Sequence, residues 1–325
     1  MRAIEITAFG GPEAMQLTET ADPVPGPDEV LIEVDSAGIN HRDTLILDDV
    51  YPPARGVLPL PLVPGSEVVG RTPEGRRVLA MTQLLGGYAE RVVAHESMVH
   101  EIPEGISDGQ ALAIGVQGMT AWHLLHTAAR VTPGESVAVS AAAGGLGSFV
   151  VQLAQEMGAG RVIGVASSEE KRKLALALGA DAAVDSDPQG LTERLIEAND
   201  GKLVDVVLDA TGGETFDAAL EAVAPFGRLV VYGVASGIPP QPVEVLGRLV
   251  STSRSIVGFT LGSAMTRRDM YRDKLELLFA MTLDGRLEPQ CGGVYQLSEA
   301  GRAHEDLRAR RSHGKLVLDV SGWSA

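Results

Sequence analysis

The sequence holds one cysteine, Cys291, in 325 residues. A lone cysteine excludes an intramolecular disulfide and any zinc site built from several cysteines, and a reducing cytoplasm is the expected compartment. Aromatic residues are scarce, at 4%. Ala, Val, Leu and Gly take their place, a bias that suits buried parallel strands and closely packed helices. Positive charge is short: 27 Lys and Arg stand against 43 Asp and Glu, for a net charge of -16. Such a chain repels DNA, RNA and anionic lipid, so no nucleic acid and no membrane is expected as a partner. No apolar run approaches the roughly 20 residues that cross a bilayer. The opening MRAIEITAFGG has an early acidic residue and no apolar h-region, so no signal peptide is expected.

What is present is ordinary globular material, 45% hydrophobic and 22% charged, at a length that suits about two domains. Residues 1–118 read as short strands punctuated by Pro and Gly. EVLIEVDSAG alternates apolar and polar positions, RRVLAM and YAERVVA are further strands, and VPGPDE, YPPARG and LPLPLVPG are turns. From 119 to 262 strands and helices alternate. Strands are expected at 136–140, 161–166, 204–209 and 228–232, with helices at 148–157, 169–178 and 215–223. Alternating β and α units argue for a parallel, doubly wound sheet. Residues 263–325 carry the helix MYRDKLELLFAMTL and a last strand GKLVLDV, and periodicity alone does not say which domain they join.

AAAGGLG sets Ala142, Gly144 and Gly147 on the spacing of a GxGxxG turn, with Ala for the first Gly. It follows the strand VAVSA and opens the helix SFVVQLAQEMG, which is the context the motif requires. Small residues there let the backbone approach a pyrophosphate, and the helix start presents free N–H groups to it. A site for NAD carries Asp or Glu about 20 residues on, at the ribose 2′-OH. Here the strand end offers Ala166, Ser167 and Ser168, followed by Lys171 and Arg172. Hydroxyls with a cation nearby suit a 2′-phosphate, so NADPH is the expected cofactor. Glu169 and Glu170, beside them, weigh the other way.

The segments SAGINHRD, PGSEVVG, GGYAE, AAAGGLG, SSEEK, LGAD, DATGG, GRLVVYG and HGKLVL follow in this order. By them the chain resembles, over nearly its whole length, the quinone oxidoreductase (zeta-crystallin-like) branch of the medium-chain dehydrogenase/reductase superfamily. The resemblance implies an α/β protein. A GroES-like β-rich catalytic domain (1–118) would be closed by the C-terminal segment (263–325). A Rossmann domain with a doubly wound parallel sheet (119–262) would be inserted between them, with the cofactor in the cleft. It also implies a homo-oligomer, a homodimer before a homotetramer. Zinc-dependent relatives place a cysteine where this chain has Asn40, a histidine where it has Ser66, and a third ligand near Val116. Only Glu67 remains of that set, so no metal is expected.

The same resemblance implies roles for single residues. Asn40 and Asp43 would lie near the nicotinamide and its ribose, Tyr51 beside the substrate, and Thr120 near the nicotinamide. Gly144, Gly145 and Leu146 would meet the pyrophosphate, and Gly233 would border the cofactor. Ser167, Lys171 and Arg310 would lie near the 2′-phosphate. Relatives often have a tyrosine there where this chain has Ser186.

The expected reaction is hydride transfer from NADPH to a quinone. A reduction of α,β-unsaturated carbonyls or enoyl thioesters is the alternative. An NADPH-binding sensor or structural protein with little turnover is the reading of another class. In either reduction negative charge develops on an oxygen, which a positioned donor stabilises. Tyr51 is the preferred donor, with an aromatic wall as its other role. Asn40 either orients a ligand or bridges its own loop, and Asp43 fixes local structure sooner than it moves a proton. His123 and His126 read as packing or surface residues, Cys291 as a small apolar filler, and Arg308 and Arg311 as a solvated helix end.

Overall fold

The alternating segment EVLIEVDSAG forms the strand Glu29–Ile39, around which one sheet assembles. Glu67–Arg71 and Arg91–His95 pair with it antiparallel, and Arg77–Met81 and Val99–Glu101 extend the sheet beyond Glu67–Arg71. Its last residues, Ser36–Ile39, pair antiparallel with the strand Lys315–Asp319 from the end of the chain, and Cys291–Gln296 lies parallel to that strand. A register shift between Val34 and Ser36 separates the two halves of Glu29–Ile39, as a bulge does, and lets them serve different partners. Ile32, Ala37 and Ile39 share one core with Val68, Val78 and Val92, and with Leu297, Leu316 and Leu318 of the tail. Each such buried Val, Leu or Ile side chain contributes about 1.5–3 kcal/mol, which is why the tail comes back.

The computed structural model describes residues 1–50, 58–82, 85–237 and 242–322, with the backbone alone at 242–244. The chain forms two units, 1–116 with 289–325, and 117–288. The return therefore begins at Pro289 and not at 263 as the resemblance implies. Residues 263–288 stay with the second unit because the helix Arg268–Leu283 buries Tyr271, Leu275, Leu278, Phe279 and Met281. A Cβ on Gly118 would lie 3.5 Å from Leu278, and His123 Nε2 lies 2.7 Å from the Met270 carbonyl oxygen.

In the second unit six parallel strands lie in the spatial order 182–185, 161–166, 136–140, 204–209, 223–231, 255–258. The order reverses between Ser136–Ser140 and Val204–Asp209, and at such a switch point open α/β sheets leave a crevice at the carboxyl ends of the strands. The three central strands hold the bounds expected from sequence. The edge strands Ala182–Asp185 and Ser255–Gly258 are four residues each and carry too little apolar pattern to be read. The helix after the Gly-rich turn spans Gly145–Glu156, so it starts three residues earlier than expected. The stretch near residue 119 is α-helical only over Met119–His123, between π-helical Ala113–Gly118 and Leu124–Ala129. Among the described residues no helix is long and apolar enough to cross a membrane.

Candidate functional site

In the second unit, the buried strand Ser136–Ser140 runs into a turn where Ala141 takes φ 53°. Ala142 N–H bonds the Val165 carbonyl at 3.0 Å, and Gly144 N–H bonds that of Ala141 at 2.8 Å. Gly144 then caps the helix Gly145–Glu156, and Ser148 N–H bonds the Gly144 carbonyl at 3.0 Å. The N–H groups of Gly145, Leu146 and Gly147 are thus the unspent donors of a helix start, the end that attracts anions. The small residues divide by task. A Cβ on Gly147 would lie 2.2 Å from the Ala141 carbonyl oxygen, and one on Gly145 would lie 2.3 Å from Gln117 Oε1. The Ala142 methyl is buried and faces Gly164, where a Cβ would lie 3.0 Å from it. These three allow close packing. A Cβ on Gly144 would have only Ala141 atoms within 4 Å, the nearest at 3.1 Å, which leaves open space in front of it.

At the end of the strand Arg161–Ala166, Ser167 and Ser168 are exposed. The Ser168 hydroxyl accepts from Lys171 N–H at 3.3 Å and caps the helix Glu169–Ala177, so Ser167 is the hydroxyl not used by the cap. Lys171 is half-buried on the first turn. Arg172 is tied to the sheet through one guanidinium nitrogen, which donates to Asp185 at 2.6 Å and to the Ala166 carbonyl at 3.1 Å. Asp185 is the register partner of Ala166 on the next strand, a carboxylate that sequence spacing did not place there. The Asp187 N–H, and then Arg172, hold its pKa below the usual range. It is ionised, and Arg172 balances its charge.

At the switch point, Asp209 is buried at the end of its strand and accepts from Thr211 N–H at 2.9 Å and Gly212 N–H at 3.0 Å. Burial raises its pKa in spite of these bonds. Ser140 Oγ accepts from Ala210 N–H at 3.0 Å, and Tyr232 N–H bonds the Asp209 carbonyl at 3.1 Å. Burial raises the Tyr232 hydroxyl as well, against its hydrogen bond to Ser140. Gly233 follows, and a Cβ there would lie 3.0 Å from the Ala210 carbonyl oxygen. Val231, Tyr232, Gly258, Phe259, Thr260 and Ser263 line an open cavity of about 420 Å³. Thr120 is buried on the helix Met119–His123.

In the first unit, Asn40 caps the helix His41–Leu47, and its N–H bonds Asp43 Oδ2 at 2.9 Å. Asp43 is fully buried and also accepts from the Tyr88 hydroxyl at 3.1 Å, which lies 3.0 Å from His304 Nε2. The arrangement that gives every proton an acceptor runs from His304 Nε2–H to the Tyr88 oxygen, and from Tyr88 O–H to Asp43. Burial raises the Asp43 pKa, and burial followed by the Arg308 charge lowers that of His304 to about 3. The Asn40 side chain is held separately. Its Nδ2 donates to Glu67 Oε1 at 2.7 Å, and its Oδ1 accepts from Lys315 Nζ at 3.0 Å. Lys315 also donates to Glu67 Oε1, and both charged side chains are wholly buried. Gly38 makes room for them, since a Cβ there would lie 2.6 Å from Glu67 Oε1 and 2.8 Å from Lys315 Cε.

Tyr88, His304 and Lys315 were not singled out from sequence, although Lys315 heads an inward-facing strand, KLVLD, where a cation must find a partner. Tyr51 lies outside the described residues. Arg310 follows the helix Ala300–Arg308 in the first unit with φ 55°. Two readings are corrected. Cys291 is exposed, not a filler, because it opens a strand at the sheet margin. Arg308 is not a solvated helix end; it donates to Asp48 at 2.8 Å and to the Thr44 carbonyl at 3.2 Å. His123 is buried, stacked on Phe259 and bonded to Thr127. Among the described residues no three His, Cys, Asp or Glu side chains are grouped as metal ligands.

Two family models match the chain. The zinc-binding dehydrogenase model covers residues 145–280, and the alcohol dehydrogenase GroES-like domain model covers residues 26–104. The chain is 36% identical to a quinone oxidoreductase of Pseudomonas aeruginosa, across 98% of this chain and 99% of the other. It is similar to the solved structure of Escherichia coli quinone oxidoreductase complexed with NADPH, with 30% identity, a TM-score of 0.91, and coverage of 98% of this chain and 100% of that one. It is also similar to the quinone oxidoreductase of Thermus thermophilus, solved alone and with NADPH, at 35% identity, a TM-score of 0.86 and the same coverage.

Proposed function

The chain belongs to the quinone oxidoreductase branch of the medium-chain dehydrogenase/reductases, and from that premise we propose that it transfers hydride from NADPH to a quinone without a metal ion. The observation that carries the cofactor half is the helix start at Gly145–Gly147, with unspent N–H groups behind an open Gly144. Those groups hold the pyrophosphate. The Ser167 hydroxyl and Lys171 take the 2′-phosphate, in a neighbourhood where the charge of Asp185, on the next strand, is balanced by Arg172. Ser168 shapes that turn as a cap, and Gly233 and Thr120 complete the cofactor contacts of the second unit. Bound NADPH supplies the hydride from its nicotinamide.

Two side chains are suited to the oxygen that gains negative charge. Asn40 retains one Nδ2–H beyond its bond to Glu67, and Tyr51 offers a hydroxyl; both are donors of the kind that stabilise such an oxygen. Asp43 holds the Asn40 backbone through Oδ2, which also accepts from Tyr88, and being wholly buried it moves no proton to substrate. Metal independence is supported by donor chemistry. At the positions where zinc-dependent relatives carry ligands stand an amide already bonded to Lys315 and the hydroxyl of Ser66, which are poor zinc donors.

The protein works as a homodimer in the cytoplasm. The dimer is supported by Phe226 and Val250, each 84% exposed, and by exposed Leu246; Phe226 N–H bonds the Ser253 carbonyl, just before the edge strand Ser255–Gly258. Exposed apolar side chains together with a strand that, among the described residues, ends its sheet favour pairing with a second copy.

A Ser167→Asp variant tests the cofactor assignment. A carboxylate at that strand end repels the 2′-phosphate and accepts from a ribose hydroxyl, so the ratio of kcat/KM for NADPH over NADH falls by about tenfold or more. An unchanged ratio would remove Ser167 from the site.

A further inference from the structure

Lys315 and Glu67 are buried charges that the proposed reaction does not consume, and both touch Asn40. The two ends of an asparagine amide are nearly the same size, so hydrogen-bond partners decide which end points where. Here the partners leave no choice. The Lys315 ammonium can only donate, so it faces Oδ1 at 3.0 Å; the Glu67 carboxylate accepts, and faces Nδ2 at 2.7 Å. Turning the amide over would set NH₂ against an ammonium and a carbonyl against a carboxylate. One Nδ2–H remains beyond these two bonds, on a residue that is buried at 5% exposure.

The same cluster is poorly built for stability. Glu67 Oε2 and Ser66 Oγ are buried without a hydrogen-bond partner. Apolar residues of similar volume hold a core as well as a buried ion pair does. Unsatisfied atoms beside a fully bracketed amide suit an arrangement set for orientation.

We propose that Lys315 and Glu67 are positioning residues that lock the Asn40 amide with one N–H donor presented to the substrate oxygen. This rests on the functional reading above, in which Asn40 meets that oxygen. The pair acts through Asn40 and touches no reacting atom. Its loss therefore lowers kcat and leaves NADPH binding unchanged.

The test compares wild type, Lys315→Met/Glu67→Leu, Asn40→Ala and the triple variant, each as the full chain. Thermal midpoint, NADPH Kd by nucleotide fluorescence, and kcat and KM for 9,10-phenanthrenequinone are measured. The Lys315→Met/Glu67→Leu variant removes both charges, so no lone buried charge is stranded. It is expected to keep the midpoint and the NADPH Kd while kcat falls about 10- to 100-fold, the scale of a misdirected donor. In the Asn40→Ala background the same pair of changes has no further effect on kcat. A kcat within about twofold of wild type, or effects that multiply independently of Asn40, would overturn the proposal. Should that variant not fold, Glu67→Asp keeps the charge but withdraws it from Nδ2; kcat must fall with KM and midpoint little changed, and an unaltered kcat overturns the proposal. Failure of wild type itself to oxidise NADPH with the quinone would sink the functional reading first, and is seen before any variant is compared.

Discussion

His304 and Asp43 meet at one phenol, and their protons answer to opposite effects of burial. His304 is neutral in the fold, with a pKa of about 3 against 6.5 when exposed. Below pH 6.5 the unfolded chain takes up a proton that the folded chain refuses. The contribution of His304 to stability is therefore complete above pH 6.5 and falls by about 1.4 kcal/mol per unit as pH drops towards 3. Asp43, whose pKa is raised, works in the other direction over its own range and offsets part of that loss. Urea unfolding of wild type and His304→Gln at pH 7, 6 and 5 should show wild type losing more stability than the variant; parallel losses would mean that His304 takes its proton in the fold. Asn40 and Asp43 could be named from the sequence because they sit in one motif of the family resemblance, INHRD. Their partners were not, because Glu67 and Lys315 reach Asn40 from 27 and 275 residues away, and only the sheet brings them together.

The Gly-rich turn is where an element, more than any one side chain, makes the site. Gly147→Ala forces a methyl towards the Ala141 carbonyl oxygen, at 2.2 Å. Overpacking of that kind costs about 1–3 kcal/mol, and it moves the helix start, so both the thermal midpoint and NADPH affinity should fall. Gly144→Ala meets only Ala141 atoms, and its φ of -74° suits alanine. It should leave the midpoint nearly unchanged and still weaken NADPH by about tenfold, because the methyl enters the space in front of the N–H groups. Titration calorimetry of the two variants separates these effects; an unaltered affinity in Gly144→Ala would place the pyrophosphate elsewhere. The central strands were readable at this scale because they are buried on both faces. The π-helical segments Ala113–Gly118 and Leu124–Ala129 were not, since hydrophobic spacing does not separate an i→i+5 turn from an i→i+4 one.

For the whole molecule, the change of pattern near residue 119 suggested two parts and the family resemblance implied a returning tail; the structure groups residues from Pro289 onward with the first unit. Hydrophobic pattern alone does not say which core a helix such as Arg268–Leu283 will join. Association of copies belongs to this scale too. Phe226→Glu with Val250→Glu places charges at two of the exposed apolar positions, and light scattering should show the dimer shifted to monomer without loss of NADPH binding; an unshifted mass would move the interface to another face. The central claim is metal-independent hydride transfer from NADPH to a quinone. Its most direct test is initial-rate oxidation of NADPH and of NADH by EDTA-treated protein, with 9,10-phenanthrenequinone and a 2-alkenal as acceptors. The account predicts turnover that chelation does not diminish, a kcat/KM for NADPH about tenfold or more above that for NADH, and the quinone as the better acceptor. Turnover lost on chelation, a preference for NADH, or a preference for the 2-alkenal would contradict it.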